Sequence, residues 1–450
     1  IPLFLVLFGA LGMRLWPIAA NLPFVYWHDE INYIEGALRF GAGHFQMSSL
    51  SHGAFFQGLL FFQYGLYFVF GRLFGLFGSA SDFLLAYIKD PTVLVLFARS
   101  TSLVGSLGIT WLTHAVATRL YGERVGLLAS LFAAFSWIMY QLSFIGLADV
   151  TAVFLLLAGF SLFVRSMERP EDRKCFLVGC VFVGLASACK FHNVFGVLPL
   201  AFVAYLKTAA NEGRGKAFFR LVIVGGVFVL IGFCAGIPQA ILSPSQLYHD
   251  SFGHMGKIYL NQGNRQEPTW LFHLTKHLPN GLGIPLESAA LGGVAFALYK
   301  RQRADFLILS FLFGFFFLMM QSVGFGYHLL PGIPFLLILA ARFLDAIVCR
   351  FQSGKARAAG LCLAAVLLAP TLSASVKYAR LMRSADTRSS AKAWIEENVP
   401  AGSIILEEGF IYAIPIESPP LLESFATVEK DIQYLSAMGA NAVFPKLRAA

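Results

Sequence analysis

The sequence predicts an all-α polytopic membrane protein, and three observations carry that prediction. The chain of 450 residues is 57% hydrophobic and only 13% charged, with a mean hydropathy of +0.68. A soluble domain usually has about a quarter of its residues charged, because its surface faces water. Apolar runs of about 20 residues, the length that crosses a bilayer as a helix, recur along the chain. The basic residues fall mainly in the short segments between those runs.

The net charge and the positions of the basic residues indicate whether the partner is nucleic acid or a membrane. The formal net charge of +9 is compatible with nucleic acid binding. Short basic segments between apolar runs are, however, the charge bias of cytoplasmic loops in membrane proteins. We therefore expect membrane lipids as partners and no nucleic acid. The six cysteines lie in or beside apolar runs without the spacing of metal ligands, which predicts packing residues and neither disulfides nor zinc.

Apolar runs mark the candidate helices in order. They lie near residues 1–20, 55–78, 98–118, 125–146, 150–165, 175–190, 193–206, 221–242, 286–299, 305–323, 327–348 and 359–376.

The run at 55–78 decides the orientation of everything after it. If it lies on the membrane instead of crossing it, 16 basic residues collect in the short loops of one side. Seven basic residues then fall on the other side before the C-terminal tail, spread over longer loops. Because basic residues favour the cytoplasmic side, this distribution predicts an interfacial or re-entrant segment and a cytoplasmic N-terminus. About 11 transmembrane helices result, each of about 20 residues.

Two long segments then face outward, at about 21–97 and 243–285. The first is expected to carry interfacial helices. Residues 1–376 form the predicted membrane domain, and 377–450 a small soluble, non-cytoplasmic α/β domain. In this tail, Ser389–Asn398 is typical of an amphipathic helix and Ser403–Leu406 of a strand. Nine of the ten histidines fall on the outer side or at its border, where we expect the polar chemistry.

An acidic pair follows the first span directly, in the stretch Trp27-His28-Asp29-Glu30. Two adjacent carboxylates at a membrane surface are unusual and indicate a candidate catalytic site. The alternative is a helix start, with Asp29 as the N-cap and Glu30 stabilised by the helix dipole. The residues alone leave both interpretations open.

A second acidic residue, Asp149, lies between two apolar runs on the same outer side. Carboxylates at such depth are costly and usually face a cavity or a partner. The alternative is a simple cap for the following helix, and the sequence does not choose between them.

Cations and aromatic residues lie at the same level. Arg99 begins one spanning helix, and Lys190 ends another just before His192. A lone lysine can snorkel to the headgroups, whereas cations converging with carboxylates suit a phosphate-bearing lipid. Tyr327 and His328 precede a proline that breaks a helix near the outer face, where Tyr327 is a candidate interfacial anchor.

These features together resemble the GT-C glycosyltransferases: an acidic pair after the first helix, an amphipathic outer segment, Arg99 opening the next helix and Asp149 farther on. The closest similarity is to the family 39-like group, which includes protein mannosyltransferases, the aminoarabinose transferase of lipid A and related bacterial sugar transferases. The resemblance covers most of residues 1–350. The tail stretch Ala391–Leu406 resembles the outer domain of bacterial members. The resemblance implies a GT-C-like bundle.

The resemblance also implies a mechanism. A sugar on a polyprenyl phosphate would be transferred, with inversion, to a hydroxyl or amine of a lipid, glycan or protein on the non-cytoplasmic side. Asp29 would be the general base, Glu30 would orient it or the acceptor, and Asp149 would contact the acceptor or the sugar. The candidate donor-binding residues, with Arg99 and Lys190 neutralising the leaving phosphate, are His52, Arg99, Lys190, His192, Tyr327 and His328.

This sequence departs from the motifs of the family 39-like group at two points. Ser51-His52-Gly53 stands where the aminoarabinose branch has an acidic-Lys-Pro triplet and others have His-Pro-Pro. A WWDYG-like signature is missing, which argues against an oligosaccharyltransferase. No metal ligands are identified, and a requirement for a divalent metal stays open. The expected location is a bacterial inner membrane, with the site facing the periplasm or exterior.

Two other classes of function compete with a transferase. A lipid or solute transporter, or a flippase, would also place polar residues at membrane depth, although internal repeats are not recognisable here. A non-catalytic assembly or receptor protein would use the tail as its working part. Clustering of the candidate residues at one face favours the enzyme.

Overall fold

The computed structural model describes residues 2–43, 53–169, 171–209, 213–250, 268–319, 326–349, 355–400 and 403. Within these ranges the chain forms helices and connecting turns and no β-strand, which confirms the all-α membrane fold. The predicted strand at 403–406 lies outside the described residues except for Ser403.

In the described part of the first half of the chain there are nine α-helices. They are α1 (Pro2–Leu15), α2 (His28–Gly41), α3 (Ala54–Leu73), α4 (Ala80–Lys89), α5 (Thr92–Tyr121), α6 (Glu123–Phe135), α7 (Trp137–Tyr140), α8 (Ala148–Glu168) and α9 (Arg173–Cys189).

The second half begins with a 3-10 turn at Phe191–Gly196. Among the described residues eleven α-helices follow, with a π turn at His273–His277 after α14 and a second 3-10 turn at Gly326–Gly332 after α17. They are α10 (Val197–Thr208), α11 (Arg214–Gly236), α12 (Gln239–Leu242), α13 (Pro244–Tyr248), α14 (Thr269–Phe272), α15 (Leu278–Leu282), α16 (Ile284–Lys300), α17 (Arg303–Met319), α18 (Ile333–Val348), α19 (Lys355–Arg383) and α20 (Thr387–Asn398).

Several helices are long enough to cross a bilayer. In the described part of the chain, six helical segments have the length and apolar composition of a span. A seventh is obtained if the sharply bent pair Thr269–Leu282 and Ile284–Lys300 counts as one span. Shorter apolar helices such as α9, with 17 residues, fall below that length. The number of about 11 spans therefore stays a prediction.

Four charged residues, two on α5 and two on α8, show that the bundle has two distinct faces. Arg99 and Arg119 lie on α5, 20 positions apart, which is about 30 Å at 1.5 Å per residue. Asp149 and Glu168 on α8 are separated by a similar length. Because Arg119 and Glu168 form an ion pair of 2.6 Å, these two ends share one face. Arg99 and Asp149 therefore share the opposite face.

Helix α3 meets the bundle at that second face. Its residue Phe55 lies beside Gly236, the last residue of α11. Farther along α3, the Gln63 side chain bonds the Thr101 hydroxyl, and the Tyr64 hydroxyl donates to the Leu94 carbonyl. Thr101 and Leu94 both lie within the first ten residues of α5. The helix has the length of a span, yet these contacts lie at neighbouring ends of the spanning helices. They favour the predicted interfacial position of residues 55–78.

Small residues allow the central helices to approach closely. Side chains at Gly184 of α9 and Gly232 of α11 would collide with backbone atoms of the partner helix. Between α8 and α9, the facing residues Gly159 and Gly179 act in the same way. Close backbone contact through small residues is a usual means of helix association in lipid, where burial of apolar surface adds little. All six cysteines are free thiols.

A buried polar network ties the helices at the face opposite Arg99. Arg342 of α18 pairs with Asp305 of α17, which is fully buried. The Tyr121 hydroxyl donates to the Asp305 carboxylate at 2.8 Å, and Arg342 donates to the Gln302 side chain at 2.9 Å. The buried charges of Arg342 and Asp305 thus neutralise each other, as buried charge requires.

Candidate active site

Helix α2 carries the acidic pair and gives its two carboxylates different surroundings. The helix begins at His28, so Asp29 and Glu30 occupy its first turn and Trp27 is the N-cap residue. No side chain caps this end, and the interpretation of Asp29 as N-cap is therefore wrong. Asp29 is exposed, whereas Glu30 is completely buried. The Asp29 carboxylate is therefore accessible to a ligand, whereas the Glu30 carboxylate contacts only protein groups in the interior.

Glu30 is held by Arg99 in a bidentate ion pair. Nε and Nη2 of Arg99 donate to the two carboxylate oxygens of Glu30, each at 2.9 Å. Nη1 of the same guanidinium donates to the carbonyls of Ile18 and Ala20 in the segment that leads to α2, also at 2.9 Å. Because a guanidinium and a carboxylate are both planar, a bidentate pair fixes the distance between the two groups and their relative orientation. Arg99 therefore anchors the start of α2, a different role from the predicted contact with the donor phosphate.

Gly146 completes the cage around Glu30, because its N–H donates to Oε1 of Glu30 at 2.7 Å. This contact ties the loop before α8 to α2. A Cβ at Gly146 would lie 2.6 Å from the Cβ of Ala98 and 3.1 Å from Oε1 of Glu30. The position accepts no side chain without a shift of α2 or α5.

The variant Gly146→Ala is expected to lower stability by about 1–3 kcal/mol, since overpacking displaces neighbours that are already in contact. Thermal unfolding of the purified protein in detergent measures the effect. Gly226→Ala is the matched control, because a Cβ at Gly226 meets no atom within 4 Å. Equal unfolding temperatures for the two variants would contradict this account of Gly146.

Asp149 lies in the first turn of α8, where Leu147 is the N-cap residue and no side chain caps the end. Its carboxylate pairs with Lys190 at 2.9 Å, and both side chains are largely buried. The ammonium of Lys190 also lies 5.6 Å from the centre of the Tyr327 ring. Asp149 thus has a charged partner from another helix, which removes the interpretation as a simple cap. Three residues that the sequence predicted for the site, Asp149, Lys190 and Tyr327, therefore lie together.

Tyr33 connects the two carboxylate groups. It lies one turn after Asp29 on α2 and is 3% exposed. Burial raises the pKa of Tyr33 well above its ordinary value, and the carboxylates of Asp149 and Asp29 raise it further. Asp29 and Asp149 therefore lie within electrostatic reach of one phenol. We call the following side chains the acidic cluster: Asp29, Glu30, Tyr33, Arg99, Asp149 and Lys190.

The start of α3 closes on this cluster through Gly53. Its N–H donates to the Cys189 carbonyl at 3.1 Å, and its φ of 65° lies in the left-handed region that favours glycine. A Cβ here would collide with the Tyr33 ring and approach Ala148. His52 lies outside the described residues. Its neighbour Gly53 is nevertheless packed directly against the cluster.

Histidines border the cluster on the side of Lys190. The rings of His192 and His328 lie 6.4 Å apart, and Tyr327 contacts His328 edge-on at 4.8 Å. In the turn between α9 and α10, burial and, to a lesser extent, the charge of Lys190 together lower the pKa of His192 from 6.5 to about 3. The neutral form of the His192 imidazole is thus favoured at physiological pH.

The described residues contain no group of three or more histidine, cysteine or acidic side chains arranged to hold a metal ion. His273 and His277 come closest to such a group, with Nδ1 atoms 2.8 Å apart, and the other ring nitrogen of His273 bonds the Met319 carbonyl at 2.9 Å. The sequence did not single out this pair.

A cavity of about 910 Å³ opens beside the acidic cluster, between the end of α1 and the start of the tail. Trp16, Arg383 and Asp386 are among its lining residues, and the acidic residues of the cluster are not. The Tyr26 hydroxyl and Ser389 share a hydrogen bond of 2.7 Å. Helix α20 therefore docks on the stretch that leads into the acidic pair. Its bounds confirm the helix predicted at 389–398.

Comparison with known proteins places this geometry in context. The family model described as Dolichyl-phosphate-mannose-protein mannosyltransferase matches residues 93–237, the part of the chain that contains Arg99, Asp149 and Lys190. The apo oligosaccharyltransferase of Archaeoglobus fulgidus superimposes with a TM-score of 0.59 at 11% identity, covering 89% of this chain and 58% of that one. ArnT from Cupriavidus metallidurans, bound to undecaprenyl phosphate, gives 0.52 at 15% identity, covering 85% and 71%. The chain has the GT-C fold.

The GT-C assignment confirms the superfamily recognised from the sequence. No curated protein sequence matches the chain. The chain spans less than three fifths of the length of the archaeal oligosaccharyltransferase that it resembles. A likeness at this level of identity establishes the fold alone.

Glu35, on helix α2, gives a prediction for the pH dependence of stability. Burial raises its pKa from 4.5 to about 7, against the opposing effect of Arg39. Between these two pH values the folded chain retains a proton that the unfolded chain has lost, so the free energy of unfolding falls as pH rises. Glu35→Gln should remove this slope in unfolding temperatures measured from pH 4.5 to 8. Glu123→Gln, at the exposed start of α6, should keep it. A slope unchanged in Glu35→Gln would show that another group titrates.

Proposed function

We propose that the chain is a membrane glycosyltransferase that moves a sugar from a polyprenyl-phosphate donor to an acceptor hydroxyl or amine. The observation that carries the proposal is the acidic cluster itself: within a GT-C fold, an exposed carboxylate stands beside a second carboxylate and a lysine. The archaeal oligosaccharyltransferase is known in complex with an inhibitory peptide and a dolichol-phosphate, and ArnT is known bound to undecaprenyl phosphate. Lipid phosphates of this kind are therefore the donor class to test.

Asp29 is assigned as the general base. It is exposed at the mouth of the cluster, and the helix start that carries it is held rigidly through the Glu30–Arg99 pair. A carboxylate accepts the proton of the acceptor hydroxyl as the oxygen attacks the anomeric carbon. Glu30 then acts as a positioning residue, since its own oxygens are occupied by Arg99 and Gly146.

Lys190 is assigned to the leaving phosphate. In the transfer, the bond between the anomeric carbon and the phosphate oxygen breaks, and polyprenyl phosphate departs with the electron pair. A cation at that point stabilises the developing negative charge. Asp149 holds Lys190 in place and contacts the sugar or the acceptor, with Tyr327, His328, His192 and His52 as further donor contacts. Attack from the side opposite the phosphate inverts the anomeric centre.

We also propose that the acidic cluster faces the periplasm or exterior of a bacterial inner membrane, and that residues 377–450 form a separate outer domain. In the topology predicted from the sequence, the 16 basic residues of the short loops fall on the side opposite the acidic pair, which supports this orientation. A cysteine introduced at Gly213, at the start of α11, should resist an impermeant thiol reagent in intact cells. Labelling of that cysteine would reverse the orientation.

A panel of polyprenyl-phosphate sugars, assayed with the purified protein and candidate acceptors, tests the proposal. Release of polyprenyl phosphate together with a glycosylated product is the expected result. Movement of the lipid-linked sugar between leaflets of a liposome without release of polyprenyl phosphate would instead support a transporter or flippase. Asp149→Asn should reduce turnover with any accepted donor.

A further inference from the structure

A second charged pocket lies at the face opposite the acidic cluster. It has a volume of about 290 Å³ and is formed where α5, α8, α10 and α17 end or begin together. Three cations line it, Arg119, Lys207 and Arg303, together with the single carboxylate of Glu168. The charged lining therefore carries a net charge of +2. Its remaining walls are apolar or backbone, supplied by Leu120, Val164, Met167, Leu206 and Ala304.

The ammonium of Lys207 is held in place by hydrogen bonds to neutral acceptors. Its ammonium donates to the Ser166 hydroxyl at 3.0 Å and to the backbone carbonyls of Ser166 at 3.3 Å, Asp172 at 3.1 Å and Arg169 at 3.5 Å. All four acceptors are neutral. The side chain is held in one position, and the carboxylates of Glu171 and Asp172 act on the ammonium through space without lining the pocket.

Arg303 places a second positive charge in the pocket, at the N-terminal end of a helix. It is the first residue of α17, where the helix dipole is positive and a basic side chain is not stabilised. Within the described ranges, Arg303 is exposed and makes no hydrogen bond or ion pair. Arg119, in contrast, is paired with Glu168, both of them about two-fifths exposed. An anion in the pocket would supply the partner that the dipole and Arg303 both favour.

We propose that this pocket binds the phosphate headgroup of an anionic phospholipid. The pocket lies at the end of the apolar stretch of α5, about 30 Å from Arg99, and thus at the level of the headgroups. A soluble anion would not use the apolar walls, whereas an acyl chain leaving the headgroup packs against them. Basic pockets between helices at the cytoplasmic face are suited to such lipids, and a lipid with two phosphates matches the net charge of +2.

Lipid titration of the delipidated full chain, followed by native mass spectrometry, tests the proposal with tetraoleoyl cardiolipin and dioleoyl phosphatidylcholine. We expect cardiolipin to bind more tightly, and Arg303→Gln to weaken that binding about fivefold, the effect of one basic residue at a membrane surface. Arg301→Gln is the matched control. Arg301 is also exposed, lies two positions away outside the pocket and donates to the Leu298 carbonyl. Its variant should bind cardiolipin as the wild type does.

Three outcomes would overturn the proposal: equal affinity for the two lipids, equal losses in Arg303→Gln and Arg301→Gln, or displacement of cardiolipin by inorganic phosphate at the same concentration. The last result would identify a site for a soluble anion. None of these measurements depends on sugar transfer, so the glycosyltransferase proposal and the lipid site succeed or fail separately.

Discussion

Asp29→Asn is expected to lower the rate of sugar transfer by about 10²–10⁴-fold, the range that a positioned general base contributes. The amide has the shape of the carboxylate but cannot accept the proton of the acceptor. Because Asp29 is exposed and caps no helix, the change should leave folding intact. The rate is measured as polyprenyl phosphate released from a donor that the wild type accepts.

Asp90→Asn is the control for this experiment. Asp90 is an exposed carboxylate in the turn between α4 and α5, and its Oδ1 accepts the Thr92 N–H at the start of α5, which an asparagine also does. We expect wild-type activity and an unchanged unfolding temperature. Normal transfer by Asp29→Asn would remove Asp29 as the base, while the GT-C fold would stand.

Glu30→Ala is expected to lower the free energy of unfolding by about 3–5 kcal/mol. The substitution leaves the Arg99 guanidinium, which is 3% exposed, without its carboxylate partner. It also removes the acceptor of the Gly146 N–H. An unpaired buried charge is among the largest costs that a single substitution produces. Thermal unfolding in detergent, together with urea titration, measures the loss.

The pair Arg119–Glu168 provides the comparison, because its side chains are 38% and 43% exposed. Glu168→Ala should cost no more than about 1 kcal/mol, since water already solvates both ions. The double variant Glu30→Gln, Arg99→Gln should recover part of the loss of Glu30→Ala, because no buried net charge is left. Similar losses at the buried and the exposed pair would show that the Glu30–Arg99 contact is not the anchor of α2.

Local patterns predicted the individual elements well. The apolar run at 150–165 lies within α8, and the run at 175–190 matches α9 to within two residues at each end. The acidic pair, Asp149 and Lys190 were also found, since charge at the edge of an apolar run is visible in the sequence. Tyr33 was not among the candidate site residues, although its spacing of four from Asp29 places both on one face of α2.

The partner of Arg99 was not predictable in the same way. Arg99 and Glu30 are separated by 69 positions, and Gly146 reaches Glu30 across 116. A cation at the start of a spanning helix suits a lipid phosphate as well as a buried carboxylate, so its residue type does not choose between them. Only the packing of α2 against α5 decided it. The two histidines of the π turn, His273 and His277, were missed for the same reason.

The sequence by itself determined that the chain belongs in a membrane and which residues share one face, because hydropathy and the distribution of charge depend on composition over short stretches. Tertiary structure alone decided which charge neutralises which. Glu30 is buried and Asp29 exposed, although they are neighbours in one helix turn. That difference arises from the close approach of α2, α5 and the loop before α8, because a carboxylate enters an apolar interior only where donors already converge.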